Sequence, residues 1–157
     1  MLPDLGAEAV LDEQVAVEVA DGPDGAVVAL AGSLSLCTIP EINGAVGKAL
    51  VNRGCVVVDL SGLRLTCEPG VTIFASVVGY AGGWPAARMV LFGADRELAA
   101  ALDRSRVTQT VPPAADLQAA LQRVRRRPER VHRFRDLPPE PTAPRAARAL
   151  LRQACID

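Results

Sequence analysis

Two short runs constrain this chain more than anything else in it: Cys55-Val56-Val57-Val58, leading into Asp59-Leu60, and Met89-Val90-Leu91-Phe92. Uninterrupted apolar stretches of that length, the first of them β-branched, read as strands. Because they lack polar/apolar alternation, both of their faces must be covered. Helices do that in a layered α/β domain, and helical patterns flank both runs.

Ahead of the first run, residues 14–20 alternate Val15, Val17 and Val19 with polar or small neighbours, which is strand period. The cluster Asp21-Gly22-Pro23-Asp24-Gly25 is turn chemistry, and residues 26–31 read as a second strand, so an N-terminal antiparallel hairpin is predicted. The next segment reads as helix. Thr38 and Glu41 have capping-box spacing, Pro40 falls in the first turn, and Ile39, Ile42, Val46 and Leu50 share a face. Gly44 and Gly47 weaken that helix by ~1 kcal/mol each relative to Ala.

The first buried strand is predicted to end at Leu60, with residues 61–68 a connection. Pro69-Gly70 opens a second helix running to about Tyr80, apolar nearly all round and so buried or at an interface, and Gly82-Gly83 ends it. After the second buried strand, Asp95 caps a helix carrying Leu98, Ala101 and Leu102. Residues 108–111 read as a short edge strand, and Asp116 caps a helix carrying Leu117, Ala120, Leu121 and Val124. Trp84 is expected to cover the sheet edge. The predicted fold is α/β: a mixed sheet with an N-terminal hairpin and four helices, followed by a C-terminal extension.

In domain terms, residues 1–13 are an N-terminal tail and residues 14–126 the domain. Residues 127–157 are an Arg/Pro-rich linker with a short helix carrying Ala147, Leu150, Leu151 and Ala154. Charge divides along the chain. Residues 1–47 hold acids and no Lys or Arg, whereas Arg123, Arg125, Arg126, Arg127, Arg130, Arg133 and Arg135 crowd the other end. That basic stretch lacks regular aromatic interleaving, and His132 within it reads as solvated. A linker, or a strap onto the acidic half, accounts for it better than nucleic-acid binding does. The terminal helix has the domain or a second copy of the chain as candidate docking partners, so a homodimer stays open.

The remaining composition narrows the chemistry. Only 3% of residues are aromatic, which argues against deep aromatic ligand pockets. The four cysteines, Cys37, Cys55, Cys67 and Cys155, match no zinc or CxxC pattern. With a single histidine, neither a metal nor another cofactor is expected. Free thiols, the lack of a secretory leader pattern and the lack of a run of roughly 20 apolar residues place the expected protein in the cytoplasm. No Gly-rich phosphate loop, Ser/His/Asp set or paired catalytic carboxylates emerge, so no enzymatic activity is expected.

The order of elements resembles the STAS domain of anti-sigma-factor antagonists. The residues that carry the resemblance are Leu30, Gly32 and Leu34 followed by Thr38, the Asp59-Leu60-x-x-Leu63 segment, Gly70 at the second helix, and GADRELAAALDRSRV at residues 93–107. It spans Gln14 to Val124. The resemblance implies a non-enzymatic regulatory module. Its partner would be an anti-sigma factor that is also a serine-protein kinase, docking where the second helix begins. Members of that family carry Asp-Ser-Ser-Gly there, the second serine being the phosphoacceptor. The matching positions here are Cys67-Glu68-Pro69-Gly70, and an Asp common after the first strand of the family falls on Ser35. Phosphorylation at the usual place is therefore excluded.

The expected partner-binding residues are Ser35, Thr38, Thr66, Cys67, Glu68, Pro69, Gly70 and Thr72. Glu68 has two readings: an ordinary helix-end charge, or a permanent imitation of the phosphorylated state, with one charge where phosphoserine has about −1.5 to −2. Thr66 and Thr72 are candidate substitute phosphoacceptors. Cys67, near a helix N-terminus, is the candidate thiol for an alternative reading as a redox or small-ligand sensor.

Overall fold

The structure, a computed structural model, describes residues 14–83, 86–126 and 148. Trp84, His132, residues 1–13 and the predicted terminal helix lie outside the described residues, apart from the lone position Arg148. The chain divides into the units Met1–Arg127 and Pro128–Asp157, and every element below belongs to the first.

The predicted hairpin is present. Strand β1 (Val15–Gly22) pairs antiparallel with β2 (Gly25–Leu34) across the Pro23-Asp24 turn. Strands β3 (Cys55–Leu65) and β4 (Arg88–Phe92) add in parallel, giving a four-stranded mixed sheet in the order β1-β2-β3-β4. Helix α1 (Ile39–Arg53) joins β2 to β3, and Gly54, at φ 70°, closes it in the left-handed conformation that glycine tolerates. A 3₁₀ turn (Glu68–Thr72) runs into α2 (Ile73–Tyr80). Helices α3 (Arg96–Arg104), α4 (Val107–Thr110) and α5 (Leu117–Arg125) follow β4.

Both faces of the central strands are covered, as their unbroken apolar runs require. Val56, Val58, Leu60, Met89 and Leu91 pack into the larger core with Ile42, Phe74, Leu98 and Val107. Cys55, Val57 and Val90 point the other way, onto Ala120 and Val124 of α5. The Asp95 and Asp116 caps form as predicted, each carboxylate accepting the backbone N–H three residues on, at 2.8 Å.

Four expectations need correction. First, residues 61–65 are strand, not connection. The β2–β3 register shifts between Ala29 and Ala31, opposite Asp59 and Gly62, so β3 carries one extra residue there. This bulge brings Leu60 and Leu63 into the same core despite their spacing of three, which reads as the end of a period-two strand. Second, residues 108–111 form no edge strand. Arg106, at φ 57°, turns the chain after α3, Val107 enters the core, and Val111 N–H bonds the Val107 carbonyl as one helical turn. A lone parallel bridge, Leu91 to Pro113, is the only β pairing there among the described residues. Between residues 14 and 126 the described α-helices therefore number five, not four.

Third, the second helix begins at Glu68 as a 3₁₀ turn, and α-geometry starts only at Ile73. It is also less buried than its composition suggests, with Tyr80 90% exposed. Fourth, the Thr38–Glu41 capping box does not form. The Thr38 side chain makes no helix cap and faces backwards into the loop that precedes α1.

Candidate functional site at the ends of the parallel strands

The chain leaves β2 and β3 at the same edge of the sheet, and two loops meet there. Leu34 ends β2, and its carbonyl accepts the N–H of Thr66 at 3.2 Å, the N–H of Cys67 at 3.0 Å and the Thr66 hydroxyl at 2.8 Å. One backbone oxygen thus ties the loop before α1 to the segment that opens the 3₁₀ turn.

The loop of residues 35–38 is locked from inside. Thr38 Oγ1 accepts the Ser35 N–H at 3.0 Å and donates to the Ser33 carbonyl at 2.8 Å. Thr38 and Ser35 are both buried, so the hydroxyl satisfies backbone groups that water cannot reach. Leu36 and Cys37 are turned out, Leu36 being 66% exposed.

Across from that loop, the 3₁₀ turn is held just as firmly. Gly70 N–H bonds the Cys67 carbonyl at 3.0 Å, and Gly70 is buried against Leu34 and Ile39. The Thr72 hydroxyl donates to the Pro69 carbonyl at 2.8 Å. Glu68 projects sideways, and its Oε1 accepts from Nε of Arg104, at the end of α3, at 2.8 Å. That hydrogen bond, with the guanidinium charge beside it, holds the Glu68 carboxyl below its ordinary value and raises Arg104 above its own.

All eight predicted residues therefore gather at one edge, in two roles. Thr66, Glu68, Pro69 and Thr72 are exposed and Cys67 is half-buried. Ser35, Thr38 and Gly70 are buried, and they position the others. Sequence reasoning missed two participants. Arg104 stands 36 residues from Glu68, and nothing in a basic residue ending a helix distinguishes an ion-pair partner from a charge favouring the helix C-terminus. Leu36 carried a signal, an apolar side chain isolated in a polar loop. Among the described residues, no group of three or more His, Cys, Asp or Glu side chains is placed to hold a metal ion, and no helix is long and apolar enough to cross a membrane.

A mixed sheet of this order, entered through a hairpin and covered by helices on both faces, is the STAS, or SpoIIAA-like, fold. An anti-sigma factor antagonist from Mycobacterium paratuberculosis superimposes with a TM-score of 0.62 at 22% identity, over 72% of this chain and 96% of that one. SpoIIAA in its unphosphorylated form gives 0.57 at 17% identity, over 70% and 96%. A variant of RsbS from Moorella thermoacetica gives 0.56 at 19%, over 69% and 93%. These likenesses are of fold. No protein-family profile matches the chain, and no curated protein matches its sequence.

Proposed function

We propose that this protein is a non-enzymatic regulatory binding module, acting in the manner of an anti-sigma-factor antagonist. Its partner would be an anti-sigma factor of the serine-kinase type, docking on the edge formed by residues 35–38 and 66–72. The observation that carries this reading is the internal hydrogen bonding of that edge. Every threonine hydroxyl in it is donated to a backbone carbonyl, and Leu36 and Pro69 are left outward. Such a surface suits recognition, because little ordering entropy remains to be lost on docking.

The same bonds bear on switching. SpoIIAA has been solved in phosphorylated and unphosphorylated forms, so a neighbour in fold carries phosphate. In this chain Pro69 stands at the family's phosphoacceptor position, and Thr66 and Thr72 have their hydroxyls engaged. Glu68 has its charge compensated by Arg104. These features favour an edge that is constantly available to its partner over a carboxylate imitating phosphate.

Affinity purification from the native cell, with the full chain as bait, tests the reading. Recovery of an ATP-binding anti-sigma factor is expected, with loss of at least tenfold in recovery for Leu36→Asp, which places a charge in the centre of the contact. Glu68→Ala is expected to change recovery less than threefold. Recovery of no such protein, or equal recovery by Leu36→Asp, would overturn the assignment.

A further inference from the structure

The lateral margin of the sheet, along β1, has a property that the contact edge does not share. Among the described residues β1 pairs only with β2, and none of them covers its outer side by strand pairing. Edge strands are ordinarily protected by brevity, Pro, charged side chains, a bulge or a covering element. β1 has eight residues and no Pro, pairs with β2 in unbroken register, and carries two charges, Glu18 and Asp21.

Parity decides which backbone groups face outward. The Gln14 carbonyl accepts the Ser33 N–H at 3.0 Å, so even-numbered residues of β1 turn their N–H and C=O groups towards β2. Val15, Val17, Val19 and Asp21 therefore direct theirs away from the sheet. A groove of about 620 Å³ is lined by Val17 and Val19 of β1, by Ala45, Lys48 and Ala49 of α1, and by the paired Asp21 and Arg53. Val19 is 52% exposed over it.

We propose that this edge joins a second copy of the chain, β1 against β1 in antiparallel register about a two-fold axis at Val19. This pairing satisfies the parity. Val19 faces its own symmetry mate and Val17 faces Asp21, so every residue that bonds across the axis is one whose backbone groups point outward. It sets Glu18 opposite Ala20, whereas centring the pair on Glu18 would place two carboxylates directly opposite each other, which is destabilising. It brings Asp21 of each copy, already paired with Arg53, to the groove of the other, where Lys48 makes no ion pair among the described residues. Sheet continuation and charge select the same occupant. The proposal uses a different surface from the contact edge and does not depend on the function assigned above.

Sedimentation equilibrium of the full chain across a concentration series tests it. A monomer–dimer equilibrium is expected, and Val19→Lys should weaken it at least tenfold. Val51→Lys, which changes a residue 73% exposed elsewhere, should leave it unaltered. In a Cys37→Ser, Cys155→Ser background, Val19→Cys should give a disulfide-linked dimer on oxidation, because facing residues of a hydrogen-bonded pair lie about 5.5 Å apart. Ala16→Cys should not. A chain that stays monomeric at hundreds of micromolar would overturn the proposal, and so would a dimer indifferent to Val19→Lys.

Discussion

At Gly32 the backbone has φ 118°, and a Cβ there would lie 2.1 Å from the Gln14 carbonyl oxygen. Both the conformation and the close approach of β1 exclude a side chain. Gly44, in the middle of α1, is the opposite case, with open space where a Cβ would stand. Gly32→Ala is expected to destabilise the protein by at least about 2 kcal/mol. Gly44→Ala should stabilise it by about 0.5–1 kcal/mol through lower unfolded-chain entropy and better helix propensity. Urea unfolding of the two variants separates the effects by sign.

One aspartate and one threonine, each at a helix start, serve different elements. Asp95 caps α3 by accepting the Leu98 N–H, so Asp95→Ala should cost about 1 kcal/mol. Thr38 stands where a cap would, but its hydroxyl closes the loop before α1. Thr38→Val therefore leaves the buried Ser35 N–H and the Ser33 carbonyl without that partner, and a loss of about 1–3 kcal/mol is expected. Hydrogen exchange distinguishes the two. The Ser35 amide should lose protection in Thr38→Val and keep it in Asp95→Ala.

Across the whole molecule, the Glu68–Arg104 pair joins the 3₁₀ turn to the end of α3, elements far apart in sequence. The Glu68 carboxyl is depressed in the folded state, chiefly by the hydrogen bond from Arg104. Its contribution to stability is present above the ordinary carboxylate value of 4.5 and is lost as pH falls through the lower folded-state value. Titration of the Glu68 side chain by NMR should show its midpoint below 4.5 in the wild type and closer to it in Arg104→Gln. Because both side chains are about half exposed, the effect should shrink at high salt.

Most of the layer plan was legible in the chain itself. The runs at residues 55–58 and 89–92 demanded cover on both faces. The Gly-Pro-Asp-Gly turn demanded a hairpin, and Asp95 and Asp116 marked helix starts that the structure retains. The resemblance carried by Gly70 at the start of the second helix also pointed to residues 66–72 as the candidate edge. Three features depended on tertiary structure: the bulge that carries β3 on to Leu65, the conversion of residues 107–110 into a helical turn, and the meeting of Glu68 with Arg104. Each depends on which groups become neighbours once the sheet is assembled. A bulge is defined by the facing strand, a short segment follows the core its valine enters, and an ion pair between distant residues has no local signature.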